Sequence, residues 1–511
     1  MDRSVLKRSL GVIDLGSNSA RLMVAHYTPG EVFQITDEVS RRVRLSEGMG
    51  PDNLLRPAAM KRALETLQLF KAFCAANGVR RLIPVATAAV RDAVNQAEFL
   101  AAVQKATKLK FRVLTGEAEA YFGALGAINS LGLQSGLVLD VGGGSAEVSE
   151  VRGGQFRRGV TSQLGAVRLT EIYLDRTPVK AVDAARLNDH ISATLSMIDW
   201  MDVGPGGQFV GLGGTVRALA RIDRNARRYP LGLVHGYELE LERLERLIDR
   251  LRVLPIEDRA RKISGLQADR ADIILAGAMV VAGVLRRAGA DRLRVCGQGL
   301  REGLFYREFL RPAKPPILPD VREFSIFNLA RLYGYDNEHA HHVSRLALSL
   351  FDQLAALGRH AYGEAERDLL WAAAQLHDIG TVVDYYDHHK HSAYIILNAG
   401  LPGWTHRETA LIALLCQYHR KGAPDVKPYT RLLTRGDEER AARLAALLRL
   451  AEYLDRSRAQ TVAGLKLRAD GKRLRLRVTA RARADAQVEV SEAQRSASLF
   501  ESAFHCKLTV Q

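Results

Sequence analysis

The sequence predicts an α/β protein built from a repeated strand-and-loop unit, followed by a long helical region and a small α+β module. Three observations predict it. An apolar run ends in an acid and opens into glycines and hydroxyls at Leu10–Ser19, and again at Leu137–Glu147. A further glycine loop, Gly211-Leu212-Gly213-Gly214-Thr215, follows the apolar Phe209-Val210. Residues from about 321 to 458 read as almost continuous helix and hold most of the 14 histidines.

The bulk properties bound the reading. With 511 residues and 47% hydrophobic content, the chain can fill several cores, and three or four domains are expected at about 100–200 residues each. A charged fraction of 25% suits a soluble globular chain. The formal charge of +16 favours an acidic partner: polyphosphate, nucleotide or nucleic acid. Cys74, Cys296, Cys416 and Cys506 lack metal-type spacing, so a reducing, cytoplasmic setting is expected. The basic start, Met1 to Arg8, leads straight into a strand rather than a signal peptide. Ile273 to Leu285 is the longest apolar stretch. It falls short of the roughly 20 residues needed to span a bilayer and reads as a buried helix.

In order, residues 10 to about 40 alternate as strands. Met60, Leu64, Leu67 and Phe70 keep helical spacing up to Asn77-Gly78. Arg81–Thr87 is a short strand entering a helix that carries Arg91, near an N-terminus whose free amides attract anions. Phe111–Leu114 is another strand, and Thr115 opens a helix to about Ser130. The strand-and-loop pattern then restarts after about residue 127. Helices follow near 180–201, 215–222, 237–252 and 270–288, then the strand Arg292–Cys296 and a last helix from Gly297. The proline-dense Arg311–Pro319 marks the main boundary. Beyond the helical region, Val462–Leu467 and Leu474–Thr479 read as a hairpin turning at Asp470-Gly471. A helix near 486–500 and the strand Cys506–Val510 finish the chain.

The three loops suit a phosphate group. Backbone N–H groups and Ser or Thr oxygens can line an anion-binding concavity, while Asp14 and Asp140 stand ready for a cation. No Walker loop and no Gly-x-Gly-x-x-Gly turn is present. Glu117 and Glu119 both fall in a first helical turn. Answering the helix dipole accounts for one of them, leaving the other for chemistry.

Several motifs carry a resemblance. They are Asp14-Leu15-Gly16-Ser17-Asn18-Ser19 with Arg21, Ala86-Thr87-Ala88-Ala89-Val90-Arg91, Gly116-x-x-Glu119-Ala120, Asp140–Glu147, Gly211–Thr215 and Gly299–Gly303. In this order the chain resembles the exopolyphosphatase / guanosine pentaphosphate phosphohydrolase family in its long form. The resemblance implies two duplicated ribonuclease-H-like domains of the actin, Hsp70 and sugar-kinase superfold (residues 1–126 and 127–311, the final helix near 298–311 packing back on the first). It further implies an all-α HD-type domain at 320–458 and an α+β module at 459–511. It selects Glu119 over Glu117 as general base. It assigns Asp140 and Glu147, with Asp14 added, to a divalent cation, Mg²⁺ or Mn²⁺. Phosphate binding falls to Ser17, Asn18, Ser19, Arg21, Arg91, Gly142, Gly143, Gly144, Ser145, Gly213, Gly214 and Thr215. Ala146 stands where relatives often carry Thr, which removes one hydroxyl donor.

In the helical region, His342, His377-Asp378 and Asp455 fall in the order that HD-domain phosphohydrolases use to hold a divalent metal. His388, His389, His391 and His419 are further candidates for supporting or anion-binding roles. Either this region is a second metallohydrolase site, or it is a degenerate fold that grips a long anion and holds a homodimer. The sequence reading prefers the latter, because processive attack on a polymer needs an extended basic channel.

The expected activity is metal-dependent release of orthophosphate from the end of inorganic polyphosphate. Conversion of guanosine pentaphosphate to the tetraphosphate uses the same terminal chemistry. An ATP-dependent kinase or chaperone of the superfold would want an adenosine pocket, for which no motif is present. Nucleic-acid binding rests on charge alone, since the basic residues are scattered without aromatic interleaving. No membrane association is expected.

Overall fold

Strands β1 (Arg8–Leu15), β2 (Ser19–Thr28) and β3 (Val32–Arg42) form an antiparallel meander. β4 (Leu82–Ala86) and β5 (Arg112–Val113) extend it in parallel beside β1, in the order β3-β2-β1-β4-β5. The same plan recurs. β6 (Ser135–Val141), β7 (Ala146–Arg152) and β8 (Gln155–Ser162) make a second meander. β9 (Gln208–Leu212) runs parallel to β6, and β11 (Arg292–Val295) runs parallel to β9. β10 (Glu238–Glu240) closes the edge antiparallel to β11. β1 and β6 are central in their sheets, which is why their runs are continuously apolar: Val12, Ile13, Leu137 and Leu139 are wholly buried.

This computed structural model describes residues 5–50, 52–174 and 176–511. Residues 1–4 of the basic start, expected to run without a signal peptide, lie outside the described residues. The described chain divides into two compact units, one running to Tyr229 and again over Leu233–Val321, the other made of Pro230–Gly232 and Arg322–Gln511. Among the described residues no helix is long and apolar enough to cross a membrane. Ile274–Arg287 is a buried helix of the second sheet's core, packed with Leu187, Leu219 and Leu251.

Two helices knit the duplicated halves together. Gly116–Leu131 lies on the second sheet, where Ser149 Oγ donates to the Ala120 carbonyl at 3.0 Å. A division at 126/127 therefore falls inside one helix. Leu300–Phe309 returns to the first sheet, where Phe305 meets Tyr27 and Phe33 with ring centroids 5.6 and 5.0 Å apart. The two helices touch through glycines. A Cβ on Gly126 would lie 2.7 Å from the Gly299 carbonyl oxygen, and one on Gly303 would overlap that of Phe122.

In the second unit, helices from Asn337–Ala356 to Asp437–Tyr453 share one core with the C-terminal module. β12 (Val462–Asp470) and β13 (Arg473–Ala480) form the expected hairpin, with Gly471 at positive φ in the turn, and β14 (Lys507–Val510) joins parallel to β13. Leu474, Leu476 and Phe500 pack in the same cluster as Leu350, Leu376 and Leu447. The module is thus an extension of the helical core. The single helix expected at 486–500 breaks into Gln487–Arg495 and Ser498–Phe504.

The glycine contact between the two knitting helices has a measurable consequence. Gly303→Ala should lower stability by about 1–3 kcal/mol, because a methyl group there meets rigid backbone. A denaturation midpoint equal to that of the parent chain would refute this account of the packing.

Candidate active site

Each half builds its loop from the same hairpin. Asp14 faces Arg21 across β1 and β2, and Asp140 faces Glu147 across β6 and β7. The turns are alike as well: Gly16 N donates to Ser19 O at 3.2 Å, and Gly142 N to Ser145 O at 2.9 Å. The duplication therefore places the acids at equivalent strand ends. Opposite them, seven residues on in each hairpin, it sets an arginine in one half and a glutamate in the other.

The two turns abut. A Cβ on Gly144 would stand 2.7 Å from Ser17 Oγ, and one on Gly143 would stand 3.2 Å from Asn18 Cβ. The glycines are required there because the loops of the two halves come too close for a side chain. Gly213 sits at φ +84°, where a Cβ would overlap Asp140 Oδ1. That position joins β9 to the helix Gly213–Ala226 and brings Gly214 and Thr215 to the same cleft.

Of the residues expected at the site, Asp14, Ser17, Asn18, Ser19, Arg21, Glu119, Asp140, Gly142, Gly143, Gly144, Ser145, Glu147, Gly213, Gly214 and Thr215 line one cleft. Arg91 does not. Its guanidinium is bonded to Glu119 Oε1, with a second bond to the Leu114 carbonyl at 3.2 Å. The helix carrying it, Ala88–Arg91, is a single turn whose last residue points at that carboxylate instead of at the loops.

Among the lining residues outside the expected set are Arg217, Arg270, Gln298 and Arg301. Arg217 donates to the Gly213 and Gly297 carbonyls, each at 3.3 Å, and Arg301 bonds Glu38 at 2.8 Å. Two of them had a signal. Arg217 follows the third glycine loop by two residues, and Arg301 lies within the Gly299–Gly303 motif. Arg270 had none, being brought in by the short helix Ala268–Arg270 from a separate segment.

Burial works against the charged form of several groups here. It lifts the Asp14 carboxyl, pushes Asp140 up to about 6, and, with Asp140 nearby, pushes Glu147 up to about 7. Glu119 rises to about 9 through burial and the Glu147 charge, against the pull of Arg91. Three of the arginines move the other way: burial lowers Arg21 and Arg217, and burial with Arg21 nearby brings Arg270 to about 10. Asp14 Oδ1 is buried without a hydrogen-bond partner, which suits a cation ligand. The donors are hard oxygens, fitting Mg²⁺, which needs only one or two protein carboxylates when phosphate oxygens and water supply the rest.

In the helical unit, His377 and Asp378 come together with His339 and not with His342. His342 lies three residues further along the same helix, its Nε2 4.0 Å from Asp455 Oδ1. Asp455 Oδ2 instead holds His339 Nδ1 at 2.8 Å. His388 and His419 form a second group with Asp378. His389 and His391 belong to neither group.

The raised carboxyls fix the sign of a pH dependence. Each binds its proton more tightly folded than unfolded, so its stabilising contribution is complete below the unfolded value and is lost as pH rises through the folded one. With divalent cations removed, the melting temperature of the parent chain should fall more steeply between about pH 5 and about pH 8 than that of Glu147→Gln. Parallel profiles would contradict the burial of Glu147.

Comparison with known proteins gives the family and the fold. The model of the Ppx/GppA phosphatase family matches residues 23–312, and that of Ppx/GppA phosphatase domain III matches residues 321–495. A Ppx/GppA family member of Aquifex aeolicus is similar at 30% identity, with a TM-score of 0.52, over 60% of this chain and 98% of its own. An exopolyphosphatase from Cytophaga hutchinsonii shares the fold at 23% identity and a TM-score of 0.54, over 59% and 98% respectively. The first unit is accordingly the two-domain, actin-like α/β fold. Since the family match covers more than half of the chain, with the glycine loops at 142–145 and 213–215 inside it, the chain belongs to the Ppx/GppA phosphatase family and is a hydrolase.

Proposed function

We propose that this chain is an exopolyphosphatase, hydrolysing the terminal phosphoanhydride of inorganic polyphosphate with the help of Mg²⁺ or Mn²⁺. The observation that carries the reading is the set of arginines, Arg21, Arg217, Arg270 and Arg301, lining a cleft that also holds Glu119 and four further acids. So much positive charge is costly to bury unless a polyanion answers it. No aromatic side chain lines the cleft among the described residues. That favours a bare phosphate chain over guanosine pentaphosphate or ATP, whose bases want a stacking face.

The proposed chemistry assigns each group a task. Ser17, Ser145, Thr215 and the loop amides receive the terminal phosphoryl oxygens, and the arginines bind the following phosphates. Asp14, Asp140 and Glu147 would hold the divalent cation, which supplies neutralisation of charge on the phosphoryl oxygens. Glu119 orients a water in line with the terminal phosphorus and takes its proton. A new P–O bond forms, the bridging P–O bond breaks, and the electron pair leaves on the shortened chain. Arg91 acts through Glu119 by favouring its ionised form.

Glu119→Gln should leave polyphosphate binding intact while phosphate release falls by about 10²–10⁴-fold. Near-parent turnover would remove Glu119 from the mechanism. Loss of Arg91 should raise the Glu119 carboxyl still further. Arg91→Gln is therefore expected to move the rising limb of the pH–rate profile to higher pH and slow the reaction at neutrality, with Arg91→Lys restoring part of the shift. An unmoved limb would sever that link. Relative kcat/KM on long polyphosphate and on guanosine pentaphosphate decides the substrate, and a clear preference for the nucleotide would overturn the first choice.

A further inference from the structure

The helix Gly116–Leu131, which presents Glu119 to the cleft, has a second face. Residues two apart on a helix look in nearly opposite directions. Glu119 lines the cleft, whereas Glu117 and Tyr121, two residues before and after it, line a separate pocket of about 490 Å³. Phe122 and Phe156 belong to its apolar wall, and Arg112 of β5 stands exposed beside them. The cleft chemistry uses none of these side chains.

The wall is aromatic. Tyr121 meets Phe122 with ring centroids 5.1 Å apart and planes at 69°, and meets Phe156 at 5.4 Å and 89°. Tyr121 and Phe156 are only half-buried. An edge-to-face corner of this kind leaves ring surface for a further flat ring. Gly159 makes the corner possible: a Cβ there would stand 2.6 Å from Ala120 Cβ and 3.2 Å from the Phe156 ring, so a side chain would lift β8 off the helix.

Two guanidiniums give the pocket its charge. Arg112 and Arg307 both stand over the Phe122 ring, 5.7 and 5.1 Å from its centroid, one from β5 and the other from the returning helix Leu300–Phe309. Among the described residues neither is ion-paired with an acid. Their charges repel, and burial together with Arg307 holds the Arg112 guanidinium below its usual affinity for a proton. A shared anion removes that repulsion and gains charge-assisted hydrogen bonds from both. Glu117 adds an acceptor-only carboxylate to the same wall.

We propose that this pocket binds a nucleoside monophosphate, with its base against Tyr121 and Phe156, its phosphate on Arg112 and Arg307, and Glu117 accepting from an amino group of the base. The volume falls within the range of about 300–1,000 Å³ usual for sites of small ligands. A bare phosphate has no use for the rings, and an uncharged aromatic would leave the guanidiniums unanswered. The pocket also reaches the catalytic groups from behind. Leu114 and Thr115 line it. The Leu114 carbonyl accepts from Arg91 at 3.2 Å, the Thr115 carbonyl from Glu119 N at 3.0 Å, and the Thr115 hydroxyl from Ala118 N at 3.2 Å. A ligand on this wall therefore fastens both partners of the Arg91–Glu119 pair. This second step rests on the base role proposed for Glu119, and it raises turnover without entry into the cleft.

Adenosine 5′-monophosphate (AMP) is the probe. Calorimetric titration of the full-length chain should show one AMP bound per chain, with adenosine and inorganic phosphate each displacing it only at about tenfold higher concentration. Arg112→Ala with Arg307→Ala should weaken AMP binding by about tenfold, and so should Tyr121→Leu, which keeps an apolar side chain in the wall. Arg217→Gln, altered in the cleft, should leave that affinity unchanged. At saturating AMP, kcat on polyphosphate should rise by about fivefold with KM constant. A parent chain that binds no AMP, or a double arginine variant that binds it as the parent does, overturns the site. A rise in KM alone overturns it as well, because that places the nucleotide in the cleft. Adenosine or phosphate displacing AMP as effectively as AMP itself overturns the ligand class. Bound AMP that leaves kcat unmoved overturns the coupling alone, whereas near-parent turnover of Glu119→Gln refutes the base.

Discussion

The first unit depends on one close contact, the abutment of the turn at Gly16–Ser19 against the turn at Gly142–Ser145. Gly143 and Gly144 lie so near Ser17 and Asn18 that a side chain would force the turns apart. With the turns apart, Asp14 and Asp140 would be hydrated acids at two strand ends. Held together, they share a buried space with Glu147 and Glu119, and their affinities for protons rise accordingly. Under the proposed function, a bound cation and polyanion would relieve the cost of that arrangement.

Duplication explains why the cleft is both acidic and basic. The two hairpins are built alike, yet the residue opposite the acid is Arg21 in one and Glu147 in the other. One half thus turns a guanidinium toward the cleft and the other a carboxylate, and a single fold supplies groups of both signs. The helix Leu300–Phe309 completes the basic side. It carries Arg301 back from the end of the unit and seats it against Glu38 of β3.

The second unit follows the same rule of helix ends carrying polar groups into a closed space. Each of its inward imidazoles is held by an acceptor outside it, so the rings cannot rotate to satisfy one another. The contrast with the cleft is chemical. There the donors are carboxylates and hydroxyls, whereas here they are mostly nitrogen, which separates the cations each could hold.

What could be read from the chain alone was whatever rests on neighbours in sequence. A hairpin ties together residues close in sequence, so the glycine loops and the strands that flank them were legible from strand and turn chemistry, whereas Arg21 and Glu147 were named through the family resemblance. Arg217, Arg270 and Arg301 were not, because they meet only where sheet order and a returning helix bring distant segments together. His339 and His342 show the limit most plainly. They share one helix and lie less than a turn apart, and periodicity cannot rank them. The sequence by itself determined the local turns and the residue types available for binding. Tertiary packing decided which of those residues face one another, since burial and the direction of each side chain depend on contacts far away in the chain.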